Sequence, residues 1–153
     1  MRSEFESLTE SVLDEADCLY DLIDAIREQR QAMRDRDEEL VKNLMDEIRD
    51  IFFDAQTKES IRDDLAKKLA AKYSCEPKAS SLEKFMNDYD KANFNGAADR
   101  LTQSIFILKS EMLILNGMID QNERYTSMLL SEWQRLSGGR AQSGVNNSLD
   151  FRG

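Results

Sequence analysis

The sequence predicts an all-α protein, an antiparallel coiled-coil bundle of three long helices with one short helix in a connection. Three observations lead there. The first 76 residues contain neither Gly nor Pro and are rich in Leu, Glu, Asp, Lys, Arg and Ala, which favours long helices. Apolar residues recur at three- and four-residue steps through most of the chain. With 153 residues, 41% apolar and 33% charged, the chain is long enough for one folded domain and too apolar to remain disordered.

Helix one is expected over residues 3–33, with Leu8, Val12, Ala16, Leu19, Ile23, Ile26, Arg30 and Met33 on one seam. The run MRDRDEEL separates it from helix two. Asp35 is the expected N-cap there, with Glu38 at capping-box spacing and Asp37 adding negative charge at the positive helix end. Helix two extends to about residue 73 along Val41, Leu44, Ile48, Ile51, Ala55, Leu65 and Leu69. Lys58 and Arg62 interrupt that seam, and Ile61 and Leu65 are expected to carry it past them. Pro77, within SCEPKAS, ends the helix, because it cannot donate a hydrogen bond and disfavours helical geometry at Glu76. Ser80 is expected to cap a short third helix, with Glu83 at the capping-box position and Leu82, Phe85, Met86 and Tyr89 on its apolar face. NFNG, residues 93–96, is a turn signal.

The last helix is expected over residues 97–136, about 60 Å long at ~1.5 Å per residue. Its main row is Leu101, Ile105, Leu108, Met112, Leu115, Ile119, Asn122, Thr126, Leu129, Trp133 and Leu136, alternating steps of four and three as in a coiled-coil seam. A second row lies roughly 100° around the helix: Ile107, Glu111, Ile114, Met118, Gln121, Tyr125 and Met128. Helices one and two can each take a row over the first half. Further along, Met128, Leu129, Leu130 and Trp133 point in too many directions to bury on one side. That end is expected to hold an amphipathic helix from another chain, through Met118, Tyr125, Met128, Leu129, Leu130, Trp133 and Leu136. Methionine thioethers suit a surface that must adapt. From residue 137 the sequence SGGRAQSGVNNSLDFRG has no periodicity and reads as a flexible tail, so the chain divides into a helical unit, 1–136, and a tail, 137–153.

Composition excludes several functions. A net charge of −9 leaves no basic cluster for nucleic acid or an anionic membrane. No apolar run exceeds four residues, too short for a membrane span. The absence of histidine removes the commonest general base and metal ligand. Carboxylate runs on helices read as solvated faces, so neither enzymatic activity nor a cofactor or metal is expected. Cys18 and Cys75 lack metal-ligand spacing and read as reduced thiols of a cytosolic protein. MRSEFESLTE has no apolar stretch of the kind a secretory signal needs.

LIDAIREQRQAMRDRDEELVKNLMDEIRDIFFD, together with AAKYSCEPKASSLEKF, resembles the FlgN family of flagellar type III export chaperones. The matching pieces are Arg36 to Leu40 at the helix junction, Pro77 to Leu82 in the connection, Asn116 and Asn122 on the last helix, and the tail from Gly138. The resemblance covers roughly residues 10–140. It implies a cytoplasmic chaperone, not an enzyme, that binds C-terminal amphipathic segments of the hook–filament junction proteins FlgK and FlgL. It would prevent their premature assembly and deliver them to the export gate component FlhA. The family's client-binding part is the C-terminal region, where the residues themselves place the apolar end of the last helix. Two features depart from the family. Its tail YG-x-x-G element is matched by LSGGRAQSG, without an aromatic, so gate docking falls to a residue such as Phe151 or Tyr125. Its paired asparagines are often three apart, whereas Asn116 and Asn122 are six apart. The alternative is a scaffold coiled coil that self-associates through the second row.

Overall fold

The computed structural model describes residues 3–121, 126–138 and 151–152. Among these are the helices α1 (Glu4–Arg34), α2 (Glu38–Tyr73), α3 (Ala79–Leu82), α4 (Asp88–Gln121) and α5 (Ser131–Gly138), and no strand. A 3-10 turn (Glu83–Phe85) follows α3, and a π-helical turn (Thr126–Leu130) leads into α5.

Short polar side chains set the helix ends. Ser3 Oγ accepts the Glu6 N–H at 3.1 Å and caps α1. At the other end Arg36 takes a left-handed φ of 57°. The Asp37 N–H then reaches the Ala32 carbonyl at 3.0 Å and the Arg36 N–H reaches Met33 at 3.2 Å, a Schellman closure. Asp37 caps α2, its Oδ1 accepting the Leu40 N–H at 3.1 Å. This corrects the expected cap, Asp35. That residue remains in right-handed helical geometry and closes the last turn of α1, so it cannot adopt the non-helical backbone an N-cap needs.

Two further boundaries differ from expectation. The short helix starts at Ala79, preceded by Lys78 with no side-chain cap, instead of being capped by Ser80. Leu82 is buried and Met86 half-buried, while Phe85 and Tyr89 stay largely exposed. NFNG is no turn; it lies within α4, which begins at Asp88 with Asn87 Oδ1 accepting the Asp90 N–H at 2.7 Å. Gly96 costs a helix roughly 1 kcal/mol relative to Ala. Burial of Phe94, Ala97 and Ala98 on the same stretch offsets that.

Cross-helix pairs give the directions. From Glu4 with Lys72, through Glu15 with Arg62 and Cys18 with Asp54, to Gln29 with Val41, partner numbers on α2 fall as those on α1 rise. The two are antiparallel. From Asp17 with Arg100 to Arg27 and Arg30 with Glu111, the numbers rise together, so α4 runs parallel to α1. Both α2 and α4 pack along α1, and their backbones approach each other at few points among the described residues.

The double row expected on the last helix is therefore carried by α1. Its predicted seam is buried at Leu8, Val12, Ala16, Leu19, Ile23, Ile26 and Met33. Beside it Ser11, Glu15, Cys18, Leu22, Ala25, Gln29 and Ala32 are buried too. Glu15, Cys18 and Gln29 of this second row all bond to α2. On α2, Val41, Leu44, Ile48, Ala55 and Leu69 are buried as expected, joined by Phe52 and Ala66. Ile61 is 47% exposed and does not carry the seam. Arg62 occupies that level instead, 1% exposed, with Nε 2.6 Å from Oε1 of Glu15, itself 2% exposed. On α4 the row from Leu101 to Ile119 is buried throughout.

Both cysteines are free thiols. Cys18 Sγ faces Asp54 Oδ2 at 3.6 Å and the Ile51 carbonyl at 3.7 Å. Burial, and then the neighbouring Asp54 carboxylate, push this thiol up to about 12. Of the expected tail, residues 139–150 and 153 lie outside the described residues. Phe151 departs from the expectation: it is buried on the bundle against Phe94.

Each ion of the Glu15–Arg62 pair loses its hydration, which the opposite charge 2.6 Å away offsets, with the Phe151 ring centroid 4.5 Å from the Arg62 guanidinium. Glu15→Ala should therefore cost ~3–5 kcal/mol in urea unfolding, whereas Glu15→Met combined with Arg62→Met should recover most of it. A loss below about 1 kcal/mol in the single variant would mean that water reaches Arg62. A thiol reagent at mildly alkaline pH should label Cys75 well before Cys18; equal rates would contradict the burial of Cys18. The folded chain holds the Cys18 proton toward about 12, against an ordinary value of 9.0, so this contribution to stability is present below that value and lost as pH rises through the interval.

Candidate functional site

The apolar excess of α4 divides three ways. The main row enters the core. In the second row Glu111 is locked to α1, Oε1 lying 3.0 Å from Nε of Arg27 and Oε2 2.5 Å from Arg30. Ile107 and Met118 are half-buried and Ile114 is 45% exposed. The third part belongs to neither row: Phe106 is 61% exposed and Leu113 is 73% exposed. Seven residues apart, they share one face of the helix, opposite the buried seam. Gly117, four residues further, continues the face with nothing near its missing Cβ. Sequence reasoning passed over Phe106 and Leu113 because it followed rows. The available signal was large apolar residues standing opposite a complete seam.

The expected single helix over 97–136 is also corrected. A straight continuation would carry residue 133 about 18 Å past Gln121, at ~1.5 Å per residue. Instead Trp133 returns to α1 and α2. Its Nε1–H donates to Gln29 Oε1 at 3.3 Å, and its ring meets Phe52 edge-on with centroids 6.0 Å apart. Gln29 donates in turn to the Val41 carbonyl at 3.2 Å. Arg49 of α2, which also pairs with Asp46, has Nε 3.6 Å from Glu132 of α5. Thus α5 sits over α1 and α2 near their joining turn.

Among the predicted binding residues, Leu129 and Trp133 are fully buried in this seat. Met118, Met128, Leu130 and Leu136 are half-buried around the core. Tyr125 lies outside the described residues. The spread of directions that suggested an open surface is accommodated by the change of course after α4, which lets Leu129 and Trp133 turn inward.

Among the described residues no group of three or more His, Cys, Asp or Glu is placed to hold a metal, and no helix is long and apolar enough to cross a membrane. The described residues form an all-α fold with a bare apolar face on one long helix. A family model described as FlgN protein matches residues 1–143, and the chain belongs to that family of flagellar chaperones. No curated protein and no solved structure matches it.

Two substitutions separate the seat from the bare face. Trp133→Ala should cost ~3–5 kcal/mol in denaturant unfolding, as for other large buried aromatics. Leu113→Asp should change stability by no more than about 0.5 kcal/mol. The reverse order would place α5 in solvent and Leu113 in the core.

Proposed function

We propose that this protein is a cytosolic export chaperone without enzymatic activity. It binds the C-terminal amphipathic segments of the hook–filament junction proteins FlgK and FlgL, prevents their premature assembly and delivers them to the export gate component FlhA. Membership of the FlgN family supports the chaperone role. The observation that carries the binding mode is the bare face of Phe106, Leu113 and Ile114 on α4. Phe106 and Leu113 stand at i and i+7, the spacing on which an amphipathic client helix lays its own apolar stripe. Met118, Met128, Leu130 and Leu136 extend the contact toward α5, and Tyr125, outside the described residues, belongs to the same stretch of sequence. Leu129 and Trp133 join it when α5 leaves its seat, and vacating that seat lowers the net affinity. For docking to the gate the candidates are Phe151, which stacks on Phe94, and Tyr125, which lies outside the described residues.

The same bare face would serve a scaffold that self-associates, and one experiment separates the two. Calorimetry with a C-terminal peptide of a hook–filament junction protein should show binding between micromolar and nanomolar. Phe106→Asp combined with Leu113→Asp should weaken it by about 100-fold, roughly 2.7 kcal/mol, with melting little changed. Unchanged affinity in the folded double variant would place the site elsewhere. A wild type that ignores the peptide, yet sediments as an oligomer dispersed by Leu113→Asp, would establish the scaffold.

A further inference from the structure

Phe151 and Arg152 lie across the side of the bundle where α2 and α4 stand apart. The Phe151 ring stacks on Phe94 of α4, with centroids 6.1 Å apart and planes 19° apart. The Arg62 guanidinium of α2 lies 4.5 Å from the Phe151 ring centroid. Arg152 follows with one nitrogen 2.5 Å from Asp99 Oδ1 and another 3.9 Å from Glu83 Oε1. An aromatic slot flanked by a buried cation is thus followed by two carboxylates. We infer that this pocket is a peptide-docking site for an aromatic residue followed by a basic one, that Phe151–Arg152 fills it in cis, and that an aromatic–basic segment of a partner protein competes for it.

Chemistry selects the occupant. The Phe94 ring and the Arg62 guanidinium favour an aromatic face over an aliphatic chain. Asp99 and Glu83, on a chain of net charge −9, favour a cation directly after it. The cis occupant is also separable from the pocket. Among the described residues beyond α5, it contributes two side chains. The family match ends at residue 143, so Arg62, Glu83, Phe94 and Asp99 lie inside it and Phe151–Arg152 outside. The inference holds whether or not a client lies on the outer face of α4, because it involves different residues.

The test is an NMR titration of the full chain with the peptide NSLDFRG, the sequence of residues 147–153. A segment tethered at an effective concentration of about a millimolar keeps its pocket filled only if its own dissociation constant is lower. With Phe151→Ala and Arg152→Ala together, the peptide should give saturable shifts at Arg62, Phe94 and Asp99 with Kd below ~1 mM. The wild type should bind it at least about tenfold more weakly because the pocket is filled. The same peptide with its Phe replaced by Ala should not bind. Arg152→Glu, repelled by Asp99 and Glu83, should open the pocket as well and supplies the comparison if the double variant loses its folded spectrum. Equal binding by wild type and variants, shifts confined to another face, or no binding by either variant at several times that concentration would each overturn the inference.

Discussion

Burial of α1 on two sides is the constraint from which the rest of the structure follows. One of its rows faces α2 and the next faces α4, and each interface holds a buried carboxylate matched by arginine. Glu15 meets Arg62 at the first, and Glu111 meets Arg27 and Arg30 at the second. An unmatched charge at either position would cost several kcal/mol, at about 3–5 for a broken buried pair, so these contacts fix register as well as adhesion. With α2 antiparallel and α4 parallel to α1, the side between α2 and α4 is left for other parts of the chain to cover. Leu129 and Trp133 cover one level of the core and Phe151 another.

This division separates long contacts from short ones. The rows of α1, α2 and α4 are continuous over many turns. Among the described residues the covers are short: a helix of eight residues and one aromatic–basic pair. Elements with few anchoring side chains open more readily than the long helices they sit on.

Much of the frame was legible in the sequence. The row from Leu101 to Ile119 follows the four-and-three alternation without interruption, and the structure buries all of it. The extents of α1 and α2 followed from the absence of Gly and Pro and from Pro77. The second row of α1 was concealed because Ser11, Glu15 and Gln29 do not register as apolar, although each is buried. Arg62 was read as an interruption for the same reason, since its partner stands 47 residues away. NFNG was misread because turn chemistry is local, while the burial of Phe94 that holds it in a helix is not. At the candidate site, Met128, Leu129, Leu130 and Trp133 were recognised as spreading around the helix. Their distribution between core and rim depended on contacts of Trp133 with Gln29 and Phe52, distant in sequence, that the local pattern does not announce.

Trp133 is the sole tryptophan, and it reports on the seat of α5 directly. Its emission and acrylamide quenching should be followed while a C-terminal segment of a hook–filament junction protein is added, with binding measured in parallel by calorimetry. If the client draws α5 from α1 and α2, the indole leaves Gln29 and Phe52, and both optical signals change saturably along the calorimetric isotherm. Calorimetric saturation with the emission and quenching of Trp133 unchanged would show that the seat stays closed and that α5 takes no part in binding.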